Sequence, residues 1–216
     1  MAKVQTNQEQ WKLVGGRLCL DFVNTVGGRD RSNVLRDKLH DYHELLDWSR
    51  AAGIAKPAEF RHLAQQAASH RPAAEATLSR AVLLRETLYR VFKSYVDGRR
   101  TSPADLDTLS RELQVARAQQ LLTRARGVFK WTWEDGDYAL DRILWPISLS
   151  AAELLTSDHL SRLRQCGGQD CGWMFLDISR NRSRQWCDMK DCGNRAKVRR
   201  FRKRQRQTGK RFSPAR

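Results

Sequence analysis

Four of the chain's five cysteines lie in its C-terminal quarter, in two pairs of equal spacing. Cys166 pairs with Cys171 and Cys187 with Cys192, each as C-x4-C, and fifteen residues separate the pairs. Two such pairs can supply the four thiolates that a tetrahedral structural zinc ion takes. The same cysteines could form two disulfides. Because the polar start MAKVQTNQEQ does not resemble a secretory signal, we expect a reducing cytosol, which favours metal. We therefore predict one Zn²⁺ per chain, bound by these four cysteines.

A shell of four cysteines leaves zinc without the open position that a catalytic zinc keeps for water. The sequence also contains no Gly-rich phosphate loop, no G-x-S-x-G and no H-E-x-x-H. Asp21 and Asn24 are polar residues inside an apolar run, and two interpretations are open. They bind backbone where two parts of the chain cross, or they line a pocket for a small molecule. We expect the protein not to be an enzyme, with a pocket around Asp21 and Asn24 as the site of the alternative.

The charge of the chain is concentrated at its C-terminal end. Formal net charge is +16, and residues 161–216 hold 17 Lys/Arg against 4 Asp/Glu, whereas the first 160 residues hold 23 against 20. From Arg195 onward there is no acidic residue. Such asymmetry indicates a polyanionic partner, and nucleic acid is the most common one. A merely solvated basic tail is the alternative, and it suits residues 208–216.

The segment 194–206 has helical patterning, with Ala196, Val198 and Phe201 as a narrow apolar stripe. Asn194 or Arg195, at the start of this helix, is expected to contact base edges, since that end of a docked helix commonly lies deepest in the groove. The expected nucleic-acid-binding residues are Asn194, Arg195, Lys197, Arg199, Arg200, Arg202, Lys203 and Arg204. Charge and cysteine spacing do not distinguish DNA from RNA. An RNA- or ribosome-associated protein, with Trp173 or Trp186 stacking on bases, is the alternative.

Two stretches carry a family resemblance. The run CGNR at Cys192–Arg195, preceded by GWMFLD at residues 172–177 and RQWC at residues 184–187, resembles the CGNR zinc finger of bacterial transcription regulators. The run GRLCLDFVNT at residues 16–25 resembles the opening motif of the ABATE domain, which those proteins carry at the N-terminus and which is described as stress-induced. The resemblance implies a transcription regulator that binds DNA through its finger.

These expectations extend to partners and location. The N-terminal part would sense a small-molecule effector or form a homodimer. No apolar run approaches the length of a membrane span, so we expect no membrane contact. The expected location is the cytoplasm, in association with the nucleoid.

The elements that must position the cysteines are mostly helical by their periodicity. The pattern predicts helices over residues 34–52, 57–71, 73–97, 103–123 and 141–155. The segment 11–26 fits either a strand or a helix. Residues 128–140 alternate like a β-hairpin with its turn at 134–137, and Phe129, Trp131 and Trp133 are expected to pack on the helices. Gly167, Gly172 and Gly193 each follow a cysteine, and we expect positive φ at these positions.

The predicted fold is therefore mainly α, of the α+β class. Residues 11–160 form an ABATE-like helical body with a small β-hairpin and its own core. Residues 161–207 form a treble-clef-like four-cysteine finger, and 208–216 are a basic, disordered tail. Because no flexible linker precedes Cys166, we expect the finger at a fixed orientation to the body. If the body has its own core, chelation of zinc should unfold the finger and leave most of the helical signal.

Overall fold

A computed structural model describes residues 11–29, 36–133 and 139–209, with side chains up to residue 206. Most of the chain is helical, as predicted, and the strands within the described ranges form three separate two-stranded antiparallel sheets. Short 3₁₀ turns at Leu140–Ile143 and Asp158–Arg162 flank the sixth helix. The regular elements are α1 (Leu18–Val23), β1 (Val26–Gly27), β2 (Arg36–Asp37), α2 (Tyr42–Ala51), α3 (Pro57–Ser69), α4 (Arg71–Val96), α5 (Pro103–Ala118), β3 (Gln120–Ala125), β4 (Val128–Trp133), α6 (Leu144–Leu155), β5 (Leu163–Gln165), β6 (Met174–Leu176) and α7 (Asn194–Gly209).

Helix α4 is the centre of the body. Its apolar stripe at three- and four-residue spacing, including Leu84, Leu88 and Phe92, is completely buried in one core. Helices α1, α2 and α5 pack against α4, and α6 joins the same core through α1 and α5. Phe22 of α1 meets Trp48 of α2 with ring centroids 5.0 Å apart. The segment that fitted strand or helix equally well is therefore helical at α1, where burial on several sides hides the usual amphipathic pattern.

The predicted helix over 34–52 is wrong in its first half. Only Tyr42–Ala51 is helical, and Asp41 caps it by accepting a hydrogen bond from the Glu44 N–H at 2.8 Å. Arg36 and Asp37 pair instead with β1, while residues 34 and 35 lie outside the described part. The buried Arg85 guanidinium of α4 donates to both oxygens of Asp37, at 2.7 and 2.6 Å, and this ion pair holds β2 against the body.

The predicted strand at residues 128–133 exists, but it pairs with the segment before it rather than with residues 138–140. The strands of this hairpin are β3 and β4, and the turn is Arg126–Gly127, with φ of 51° and 81°, which is typical of a type I′ hairpin. Residues 120–123, predicted as the end of α5, thus belong to a strand. The predicted turn at 134–137 lies outside the described residues.

The expected packing of the hairpin's aromatic face is also wrong for two of its three residues. Trp133, at the base of the hairpin, packs on Trp145 of α6 with ring centroids 5.5 Å apart. Phe129 and Trp131 are 65 % and 64 % exposed, since they lie nearer to the turn of the hairpin than Trp133 does. Tyr138 is not described, and Leu140 belongs to a 3₁₀ turn rather than to a strand.

The finger is packed onto the body and shares its core. Leu163 of β5 and Met174 and Leu176 of β6 are buried in the same apolar cluster as α1 and α4. Residues 208 and 209, expected in the tail, belong to the end of α7, and the remainder of the tail lies outside the described residues. Within the described ranges, no helix combines the length and the apolar character that crossing a membrane requires.

Candidate metal centre and nucleic-acid interface

The four predicted zinc ligands meet in space. The sulfur atoms of Cys166, Cys171, Cys187 and Cys192 all lie within 4.8 Å of one another, and all four residues are buried. Cys187 Sγ is 3.6 Å from both Cys171 Sγ and Cys192 Sγ. A tetrahedron with Zn–S bonds of about 2.3 Å has edges of about 3.8 Å, so this arrangement fits a zinc ion closely.

The first cysteine pair closes the loop between β5 and β6. Cys166 directly follows β5, and its N–H donates to the Trp173 carbonyl at 2.8 Å, which continues the ladder past the knuckle. Gly168 lies inside this loop, where an added Cβ would come within 3.2 Å of both Cys171 Cβ and Cys192 Sγ. Gly168 is not among the residues predicted from the sequence, although a second glycine in a four-residue knuckle loop is itself a signal of close backbone approach.

The second pair ties the zinc site to α7. Asp188 accepts a hydrogen bond from the Lys190 N–H at 2.8 Å and starts a turn of π-helix, Met189–Gly193, that carries Cys192. This turn continues without interruption into α7. A bound zinc ion therefore fixes the first turn of the basic helix, as a treble-clef arrangement requires.

Donors surrounding the sulfurs favour thiolates. The Cys187 N–H and Gly168 N–H donate to Cys166 Sγ at 3.3 and 3.4 Å, and Arg195 donates to Cys192 Sγ at 3.1 Å. Neighbouring cysteines lower the pKa of Cys166, whereas hydrogen bonding with Cys166 raises the pKa of Cys171 and of Cys187 above the ordinary thiol range. Four thiolates in this volume therefore need a cation.

Two different requirements explain the glycines beside the ligands: a positive φ at one position and close packing of a side chain at the other two. Gly172 adopts a φ of 71°, as predicted, but Gly167 and Gly193 do not have positive φ, so that expectation is wrong for them. They instead make room for Trp186, which packs beside the sulfurs. An added Cβ would lie 3.4 Å from the indole at Gly167, and at Gly193 it would lie 3.2 Å from the indole and 2.9 Å from Met189 Sδ.

Asn24 joins the body to the finger. Its side-chain N–H donates to the Met174 carbonyl at 2.8 Å, and its Oδ1 accepts from the Met174 N–H at 2.9 Å. These bonds cover the edge of β6 that faces away from β5. Of the two interpretations offered by the sequence, backbone binding at a chain crossing describes what Asn24 does.

Asp21 supports the same edge indirectly. Its carboxylate accepts a hydrogen bond from the Gly15 N–H at 2.8 Å, and the Gly15 carbonyl accepts from the Leu176 N–H at 2.9 Å. Burial raises the pKa of Asp21 to about 6. Asp21 Oδ1 and the Gly15 carbonyl oxygen thus both accept hydrogen bonds from main-chain N–H groups. An effector pocket at Asp21 and Asn24 stays a prediction without a contact in its favour.

All eight predicted nucleic-acid-binding residues lie on α7, which is one turn longer than expected. Arg199 is half-buried and the other seven are exposed: Asn194, Arg195, Lys197, Arg200, Arg202, Lys203 and Arg204. Of the apolar stripe, only Ala196 is buried, while Val198 and Phe201 are 41 % and 63 % exposed. The helix therefore contacts the finger over its first turn and projects from it beyond that point.

Arg195 differs from the other cations of α7. Besides its bond to Cys192 Sγ, its Nε lies 3.2 Å from Asp191 Oδ1, and the Cys192 sulfur raises the pKa of its guanidinium. Arg195 therefore supports the zinc site, and Asn194 is the more available of the two residues expected to contact bases.

The fold and the site define a zinc-finger protein whose metal centre anchors a projecting basic helix. Two protein-family models match it: ABATE, described as "Putative stress-induced transcription regulator", over residues 16–158, and the CGNR zinc finger over residues 162–205. The chain thus belongs to the ABATE family and ends in a CGNR zinc finger, which confirms the resemblance read from residues 16–25 and 192–195. The finger holds one zinc ion on its four clustered cysteines. No curated protein matches the chain.

Proposed function

We propose that this protein is a DNA-binding transcription regulator in which α7 docks on the duplex. The observation that carries the proposal is the character of α7 itself. Between Asn194 and Gly209 it holds eight Lys/Arg and no acid, and every described side chain from residue 201 to 206 is exposed. A cationic surface that extends around a projecting helix suits a polyanion that surrounds it on several sides, as the major groove does.

The dimensions of the helix fit this role. At 1.5 Å per residue, sixteen residues extend about 24 Å, which spans several phosphates on each strand. Zinc fixes the first turn, so docking does not have to order it. The exposed cations of α7 would contact phosphates: Lys197, Arg200, Arg202, Lys203 and Arg204. Asn194, at the anchored end, would face base edges.

The test is the salt dependence of duplex binding. Five or six phosphate contacts give a slope of about −5 in log K against log salt, a loss of about a thousandfold between 50 and 200 mM. Replacing Arg202 with Gln should flatten the slope by about 0.9. Arg61→Gln on α3 removes the same charge from an exposed helix of the body and should leave the slope unchanged. Equal slopes for the wild-type protein and a chain truncated after Gly193 would refute a role of α7 in DNA binding.

The same experiment with single-stranded RNA tests the alternative partner. The tryptophans that would stack on bases are both engaged within the fold. Trp173 donates its indole N–H to the Val26 carbonyl at 2.9 Å, and Trp186 packs against Gly167 and Gly193. We therefore expect tighter binding to duplex DNA than to single-stranded RNA of equal length, and the reverse order would favour the RNA-associated protein.

We also propose a purely structural zinc ion and no enzymatic activity. Four sulfurs from the chain complete a tetrahedral shell, and this supports a site without a position for reactive water. The zinc ion should therefore not bind added anions. A cobalt-substituted protein reports this directly, since an added azide would change the visible absorption of an open site and leave a closed four-thiolate site unchanged.

The body is proposed to sense an effector or to form a homodimer. A cavity of about 210 Å³ between body and finger is lined by Lys12, Arg36, Lys38 and Arg195 and by two acidic residues, Asp170 and Asp191. Its excess of positive charge supports an anionic effector. The exposed Phe129 and Trp131 support self-association through the hairpin. Sedimentation equilibrium tests self-association through the hairpin. Trp131→Ser should shift a dimer towards monomer, and a monomeric wild-type protein would contradict self-association.

A further inference from the structure

The finger carries a second basic feature, away from the exposed faces of α7. An open cleft of about 570 Å³ lies between the end of β5 and the loop that precedes Cys187. Among the described residues that line it, Arg164, Arg182 and Arg184 are basic and none is acidic. Such a lining creates a concave site of positive potential, which suits an anion.

Two of these arginines form hydrogen bonds with main-chain carbonyls of the finger and its approach. Arg184 donates to the Trp186 carbonyl at 2.8 Å, and its guanidinium lies over the Phe175 ring at 4.5 Å. Arg164 donates to the Ser161 carbonyl at 2.9 Å. Their charges contribute to the field of the cleft, but their donors are partly used.

Arg182 has its charge available. It is exposed, and in the described part of the chain its guanidinium forms no ion pair. Its φ of 49° is in the left-handed region, which is strained for a residue other than glycine and persists only where the surroundings enforce it.

A buried carboxylate enforces that conformation. Asp177 accepts hydrogen bonds from the Ser179 N–H at 2.9 Å, from the Ser179 hydroxyl at 2.5 Å and from the Arg184 N–H at 2.9 Å. The loop between them is thus wrapped around one fully buried side chain. It presents Arg182 in a fixed place, so an incoming ligand does not have to order the backbone.

The cleft adjoins the start of α7. Trp186 lines the cleft and approaches Gly167 on one side, while on the other it approaches Gly193, directly before Asn194. One indole ring therefore separates the arginine cleft from the anchored end of the basic helix. A strand of nucleic acid that follows α7 can pass both.

We propose that this cleft holds a backbone phosphate of the same nucleic acid that α7 contacts, with Arg182 as the residue that binds it. The inference rests on the proposed function. A guanidinium offers a planar pair of N–H donors that matches two phosphate oxygens. Because phosphates are the same at every step, the contact adds affinity and fixes the position of the finger without selecting sequence.

The test compares two arginines of one loop. Arg182→Gln removes the cleft's available cation, and Arg180→Gln removes an equal charge two residues away, from an exposed side chain outside the cleft. Binding of a short duplex is measured between 50 and 200 mM salt. Loss of one phosphate contact flattens the slope by about 0.9, so the affinity advantage of the wild-type protein over Arg182→Gln should shrink about 3.5-fold across this range. Arg180→Gln should follow the wild-type slope.

Two further variants of Arg182 exclude a folding artefact. Arg182→Gly relieves the left-handed strain while removing the charge and should behave like Arg182→Gln, whereas Arg182→Lys should restore most of the slope. Suppose that Arg182→Gln and Arg182→Gly both keep the wild-type slope while Arg202→Gln has a flatter one. That result would overturn the proposed phosphate site in the cleft and leave the role of α7 intact. Equal flattening by Arg180→Gln and Arg182→Gln would also overturn it, since the effect would then be one of net charge. A wild-type protein that fails to bind duplex even at low salt overturns both proposals.

Discussion

Removing zinc should destabilise the whole protein, not the finger alone. The sequence suggested an independent body, but Leu163, Met174 and Leu176 of the finger are buried in the body's core. Burying a side chain of this size contributes about 1.5–3 kcal/mol, so the three together contribute about 5–9 kcal/mol. A typical domain has a total stability of about 5–15 kcal/mol. Loss of the ordered finger therefore removes a large share of what holds the helices together.

The measurement is a thermal melt followed by circular dichroism at the helical wavelength, with and without chelator. For a chain of this length, 1 kcal/mol moves the midpoint by about 2–4 °C, so we expect a fall of at least about 10 °C. A Cys187→Ser, Cys192→Ser double variant should melt at the lower temperature without chelator and not respond to it. A midpoint within about 2 °C of the zinc-bound protein, after metal analysis has shown that zinc is gone, would refute the shared-core reasoning.

Three other predictions follow from single contacts. Gly193→Ala should lower the thermal midpoint and zinc retention, because its Cβ would meet Met189 Sδ at 2.9 Å, whereas Gly167→Ala meets only ordinary contact at 3.4 Å and should be milder. Asn24→Ala should cost about 2–6 kcal/mol in urea unfolding, since it leaves the N–H and C=O of Met174 without their partner. Burial raises the folded-state pKa of Asp21 to about 6 from an ordinary 3.8, so the folded state binds more protons between these values and stability falls as pH rises from about 4 to 6. Asp21→Asn should flatten that part of the stability curve, and an unchanged curve would contradict the assignment.

The zinc ligands and the basic helix could be predicted because both are local patterns. Two C-x4-C pairs need no knowledge of distant contacts, and α7 follows directly from the last ligand. The stripe through Leu84 and Leu88 predicted α4 for the same reason, since it repeats within one continuous helix of 26 residues.

The errors arose where distant contacts decide the local structure. Asp37 is in a strand because the buried Arg85, 48 residues away, binds its carboxylate. Gln120–Ala125 continues a helical composition but pairs with β4 through the Arg126–Gly127 turn, which lacks the usual Asn-Gly signal. The bond from Asn24 to Met174 spans 150 residues, and no spacing rule relates them.

Coupling between body and finger must act in both directions. If zinc stabilises the body through β6, then weakening the contact between the body and β6 must weaken zinc binding by a corresponding free energy. Asn24 touches none of the four cysteines, yet it covers the free edge of β6, which leads back to Cys171. We therefore expect Asn24→Ala to lower zinc affinity at least about tenfold, equivalent to about 1.4 kcal/mol of its total cost, in a competition assay against a colorimetric chelator. Asn181→Ala, in the exposed loop of the finger, is the control and should retain wild-type affinity. Unchanged zinc affinity in Asn24→Ala, together with a clear loss of stability, would mean that the finger folds around its metal without help from the body.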